Sequence, residues 1–168
     1  MSFSYRLREC DIHIGDRSST CAILYYLARN RHVQDKLQRE LDEQLGTEDE
    51  VATAVSQVKH LPYLDACINE GLRLHSTSSL GLPRIVPEGG LTVCGQLFHE
   101  GTVLSVPSYT IHRNTMVWGE DVEIYRPERW FECDHAAIQK TFNPFSVGPR
   151  LVAGFLSCLL GLIPFSSI

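Results

Sequence analysis

Glu70 and Arg73 stand three residues apart, a spacing that puts a carboxylate and a guanidinium on one face of a helix. Alone, that pair reads as an ordinary solvated surface contact. Two later segments change its meaning. Tyr125-Arg126-Pro127-Glu128-Arg129-Trp130 is followed by Phe142-Asn143-Pro144-Phe145-Ser146-Val147-Gly148-Pro149-Arg150, a distance that can return a second arginine to Glu70. A carboxylate shared by two guanidiniums is a scaffold device: bidentate hydrogen bonds compensate the buried charges, and losing one partner strands the others.

Several other chemistries lack their residues. The seven histidines (His13, His32, His60, His75, His99, His112 and His135) show no metal-ligand spacing, and read as solvated or locally satisfied. No Gly-x-Ser-x-Gly elbow supports a Ser/His/Asp hydrolase, and no Gly-rich loop is placed to cradle phosphate.

The elements that must position these residues follow from apolar spacing. A helix runs from Ser18, with Ser18 or Ser19 as cap and Leu24, Leu27 and Ala28 on one face. A second carries the stripe Val33, Leu37, Leu41 and Leu45 and stops at Gly46. A third short helix is predicted over Glu50 to Lys59. Pro62 opens a fourth, which holds Glu70 and Arg73 and buries Leu64, Ile68 and Leu72. Beyond Ser76 the composition turns to Pro, Gly, Val and Thr. Leu91 to Val93, a Cys94-Gly95 turn, Gln96 to Phe98 and Thr102 to Val106 read as short antiparallel strands. Pro107 to Pro149 reads as long ordered loop with one or two helical turns, and loops of that length usually serve a site.

Length and charge bound the rest. The chain has 168 residues, 43% hydrophobic and 21% charged, as for one soluble domain with a sizeable core. A net charge of −5, spread along the chain, argues against a nucleic-acid partner. Six cysteines without a Cys-x-x-Cys pair, and no secretory segment in Met1 to His13, read as free thiols in a reducing compartment. Leu151 to Phe165 is uncharged but falls short of the roughly 20 apolar residues of a membrane span, and Gly154, Gly161 and Pro164 interrupt it.

Together, the Glu-x-x-Arg helix, the Pro-Glu-Arg-Trp segment and the Phe145 to Arg150 loop resemble the cytochrome P450 superfamily of haem-thiolate monooxygenases, in the family's order, from about Ser18 to Arg150. Gly81-Leu82-Pro83-Arg84, Val86-Pro87-Glu88-Gly89-Gly90 and Val106 to Arg113 look like the fungal benzoate 4-monooxygenase group. The resemblance implies an α+β, mainly helical fold: a partial cytochrome P450 fold made of the carboxy-terminal half of the helical core plus small antiparallel strands. It implies that Glu70, Arg73 and Arg129 form the structural network behind the haem. Arg84 and Arg150 match positions that bind haem propionates, and Phe145 and Gly148 match loop residues that shield the iron ligand and let the backbone pass close to it. The implied cofactor is haem (heme), and the implied activity is aromatic-ring hydroxylation of a small acid such as benzoate. O₂ and electrons from NADPH-cytochrome P450 reductase would drive it.

The resemblance breaks where the family places its axial cysteine thiolate. Val152 stands there, in register with Phe145, Gly148, Arg150 and Gly154. Valine cannot bind iron, and Cys158, six residues on, is a poor substitute. No catalytic residue is assigned; Asp16 and Thr20 fall near the family's proton-delivering acid-Thr pair but do not align with it without a gap. Three segments are expected: 1–17 as a non-matching lead-in, 18–150 as a partial cytochrome P450 domain, and 151–168 as a divergent apolar tail. The tail reads as sequence from outside the normal coding frame or from a retained intron. The competing expectation is therefore a truncated or mis-spliced chain that binds no haem productively and is inactive. The complete family member would sit on the endoplasmic reticulum membrane; this chain, with no anchor segment, is expected in the cytoplasm.

Overall fold

The computed structural model describes residues 18–45, 61–77, 79–132 and 135–144. Helices predominate. Residues 18–29 are helical (α1), followed by α2 (Arg31–Leu45) and α3 (Pro62–Leu74). Two antiparallel pairs come next: β1 (Arg84–Ile85) with β4 (Val103–Leu104), and β2 (Leu91–Val93) with β3 (Gln96–Phe98). Four short helices close the described chain: α4 (Ser108–Ile111), α5 (Thr115–Trp118), α6 (Arg129–Glu132) and α7 (His135–Thr141). This is the α+β, mainly helical architecture expected from the sequence.

The stripes read from spacing on α2 and α3 pack against one another, whereas on α1 the buried apolar residue is Ile23, outside the expected Leu24, Leu27 and Ala28 face, and Ala28 is exposed. Val33 and Leu37 of α2 and Leu64, Ile68 and Leu72 of α3 join Ile23 of α1 and Tyr125 in one core cluster. Pro62 occupies the first turn of α3, as predicted, but Leu61 before it offers no side-chain cap. A neighbouring helix supplies one: the Glu40 carboxylate of α2 accepts from the amides of Tyr63 and Leu64, each at 2.9 Å. A carboxylate there also meets the positive end of the helix.

Helices α3 and α1 pass closely at Gly71, where an added Cβ would stand 2.5 Å from Ile23 Cγ1. Gly71→Ala is therefore expected to push α1 away from α3 and to cost about 1–3 kcal/mol, outweighing the helix propensity that alanine gains. A urea midpoint that rises in this variant contradicts the packing described.

Some sequence expectations need correction. Ser18 and Ser19 lie inside the helical stretch rather than capping it, and Ser18 Oγ pairs instead with His75 Nε2 at 2.8 Å. Strand β1 has no counterpart among the predicted strands: it is two residues long, too short for alternation, and exists through its pairing with β4. The stretch after Pro107 holds four helical segments, not one or two turns. They are too short to show a helical period; α5 is set by Asn114, whose side chain accepts from the Met116 amide. The Cys94-Gly95 hairpin turn forms as expected, with φ of 50° and 80°, the left-handed pair a tight two-residue turn requires. The helix predicted over Glu50 to Lys59 lies outside the described residues.

Candidate functional site

Glu70 and Arg73 project from α3 into the space enclosed by the 111–130 segment, and neither side chain is exposed at all. Arg73 binds Glu70 through two parallel hydrogen bonds, Nε to Oε2 and Nη2 to Oε1, both 2.9 Å. Arg129, from the first turn of α6, adds Nε to Oε1 at 2.8 Å and is equally buried. Trp130 Nε1 donates to Oε2 at 3.1 Å, and the Arg126 backbone amide to Oε1 at 3.1 Å. These five donors exceed the roughly four lone-pair sites of a carboxylate, so the hydrogen-bonding capacity of Glu70 is filled.

The arginines do a second job. Arg73 donates to the carbonyls of His112 (2.8 Å) and Val122 (2.7 Å). Arg129 donates to the carbonyls of Trp118, Asp121 (2.9 Å) and Ile124 (3.2 Å), and to Asp121 Oδ1 at 3.0 Å. Loop carbonyls that lack a partner in regular structure are thus satisfied by side chains anchored on Glu70. Charge also balances, since the two buried guanidiniums face Glu70 and Asp121. Partial burial alone would raise the Asp121 carboxyl, but hydrogen bonds from Arg129 and Arg126 outweigh it and hold the group below its ordinary value. Arg73 also lies over the Trp118 ring, 5.4 Å from its centroid.

A second polar group fastens the same segment to α2. Glu128 accepts from Lys36 Nζ at 2.9 Å and from the Tyr63 hydroxyl at 2.8 Å. Tyr125 donates to the Cys67 carbonyl at 2.9 Å and stacks on Tyr26.

The structure therefore brings Glu70, Arg73 and Arg129 together. Arg84 stands apart, exposed on β1, with its guanidinium on the neighbouring Pro83 carbonyl at 3.1 Å. Phe145, Gly148, Arg150, Val152 and Cys158 lie outside the described residues. Sequence reasoning missed Asp121 and Trp130 as members of the cluster, although Trp130 adjoins Arg129 in the Pro-Glu-Arg-Trp motif. It also read the histidines as solvated or locally satisfied, whereas His112 is fully buried and its carbonyl is one of the Arg73 anchors.

Comparison with known proteins gives the family. The family model for cytochrome P450 matches residues 17–154. The chain belongs to the cytochrome P450 family. Over 140 residues it is 46% identical to benzoate 4-monooxygenase bphA of Aspergillus niger, covering 82% of this chain and 27% of that protein. A pisatin demethylase of Fusarium vanettenii is 38% identical over 148 residues, 85% of this chain and 28% of that protein. A cytochrome P450 monooxygenase of Aspergillus terreus is 36% identical over 137 residues, 79% of this chain and 28% of that protein. The chain thus spans a little over a quarter of the length of the curated relatives it matches.

Cytochrome P450 membership implies haem, which requires an axial donor. That donor is expected from the sequence at position 152, where Val152 stands, and this position lies outside the described residues. Among the described residues, Cys67 is committed to the core, and burial pushes its thiol up to about 12, far from a ready thiolate. Cys21 and Cys94 are exposed, on α1 and at the hairpin turn. No group of three or more His, Cys, Asp or Glu among the described residues is arranged to hold a metal ion. Among the described residues, no cysteine is placed as a ready thiolate donor for haem. No described helix is long and apolar enough to cross a membrane.

Proposed function

We propose that residues 18–150 are the carboxy-terminal scaffold of a haem-dependent monooxygenase of the aromatic-acid-hydroxylating type, with benzoate as the model substrate. In the complete enzyme, haem, O₂ and a cytochrome P450 reductase would supply the oxidation. The observation that carries this reading is the 46% identity to benzoate 4-monooxygenase bphA, over 140 residues of this chain. The role proposed for Glu70, Arg73 and Arg129 is support: a carboxylate filled with hydrogen bonds and two guanidiniums fix the backbone from His112 to Trp130.

Val152 favours a second statement about this chain itself. With valine at the ligand position it carries the scaffold without the oxidation centre. A segment exchange tests both readings. The Aspergillus niger relative carrying residues 18–150 of this chain in place of its own matching segment is expected to keep benzoate hydroxylation. Extending the exchange through Val152 is expected to abolish it, together with the red-shifted carbon monoxide band of a thiolate-bound haem. A first chimera that shows the band but does not hydroxylate benzoate overturns the substrate reading. A second chimera that keeps the band overturns the assignment of Val152.

A further inference from the structure

His112 forms the carboxy-terminal cap of α4, is fully buried, and faces two ways. Its carbonyl accepts from Arg73, which ties it to Glu70. Its ring Nε2 takes the backbone N–H of Asn143 at 3.3 Å, across a gap of 31 residues. Around the ring stand Trp118, edge-on with centroids 6.4 Å apart, and Phe142 at 5.4 Å. Phe142 in turn meets Trp130 edge-to-face at 4.7 Å, and Trp130 donates to Glu70. Two routes, one polar and one aromatic, thus run from Glu70 through or beside His112 to the Phe142-Asn143 backbone.

An Nε2 that accepts a hydrogen bond must carry a lone pair, so the ring is neutral with its proton on Nδ1, a tautomer that follows from the geometry. That Nδ1 is buried without a hydrogen-bond partner among the described residues. A second proton at Nε2 would set one N–H against another and place a cation among groups that disfavour it. The charged groups facing His112 are Arg73 from α3 and Arg113 beside it, both cationic, while Trp118, Phe142 and Asn143 offer no negative charge.

We propose that His112 is an acid-releasable clamp, which when neutral ties the Phe142-Asn143 backbone to the Glu70–Arg73 cluster and when protonated lets it go. The device does not depend on haem and goes beyond the function proposed above. Burial, the dominant cause, outweighs the hydrogen bonding that works against it and, with the nearby positive charges, pushes the imidazole down to about 4 against an ordinary 6.5. The folded state therefore holds the neutral form throughout that interval, while an unfolded or released His112 takes up a proton. Release is favoured progressively as pH falls from 6.5 toward 4 and is suppressed above that range.

Trp118 and Trp130 are the chain's two tryptophans and both flank the clamp, so intrinsic fluorescence of the full chain reads it directly. The wild-type emission is expected to shift to the red across that pH interval. His112→Gln, which can offer an acceptor oxygen but does not titrate there, is expected to lose the step; an unchanged step in this variant overturns the proposal. Hydrogen exchange on the unaltered chain gives a test free of folding effects. Protection of the Asn143 amide, normalised to that of the Asp65 amide inside α3, is expected to fall at least about tenfold between neutral pH and the acid end of the interval. Equal protection at both ends overturns the proposal.

Discussion

Glu70→Ala is expected to lower stability by about 3–5 kcal/mol, a large share of the roughly 5–15 kcal/mol that holds an ordinary domain together. The cost comes less from the lost attraction than from what remains. Arg73 and Arg129 would stay buried with no carboxylate between them, and the Trp130 indole and the Arg126 amide would lose their shared acceptor. Water cannot reach these groups without opening the segment, since the side chains of Glu70, Arg73 and Arg129 have no exposed surface. A urea denaturation midpoint that does not move in Glu70→Ala refutes the account of the cluster.

Arg129→Lys separates charge from geometry. The variant keeps the cation facing Glu70, but a single ammonium cannot serve Glu70, Asp121 and the carbonyls of Trp118, Asp121 and Ile124 at once. Five hydrogen bonds compete for three N–H groups, so at least two of those made by Arg129 are lost, for an expected cost of about 2–4 kcal/mol in thermal or urea unfolding. Arg126→Lys is the control. Its side chain is 34% exposed and its ion pairs with Asp121 and Glu132 lie at the surface, so the cost is expected below about 1 kcal/mol. Equal losses in the two variants would mean that charge alone, and not the guanidinium fork, holds the segment.

The contrast between these arginines shows what the sequence does and does not carry. Spacing places Glu70 and Arg73 side by side, and the apolar stripes of α2 and α3 are long enough to be legible from spacing alone. The burial of the pair is another matter. A Glu-x-x-Arg step on a helix has the same local pattern in water as in a core, and what covers it here is a segment some fifty residues later in the chain, with helices four residues long and no period to detect. The family resemblance supplied Arg129 because its motif is fixed. It did not supply Asp121, whose partnership with Arg129 depends on how the chain turns between α5 and α6. His112 was illegible for the same reason: one histidine in a loop carries no sign of the carbonyl and ring contacts that the fold imposes on it.

The proposed function separates stability from chemistry in this chain. The Glu70 cluster is built from carboxylate, guanidinium, indole and backbone groups that satisfy one another. The oxidation centre of the family depends on one sulfur, and the function proposed above puts Val152 in its place. The measurement that tests this division most directly is the absorption spectrum of the purified chain mixed with haemin, reduced and exposed to carbon monoxide. The account predicts no red-shifted Soret band of the thiolate type. Its appearance would show that Cys158 or another thiol binds the iron, and would contradict the claim that this chain keeps the scaffold without the ligand.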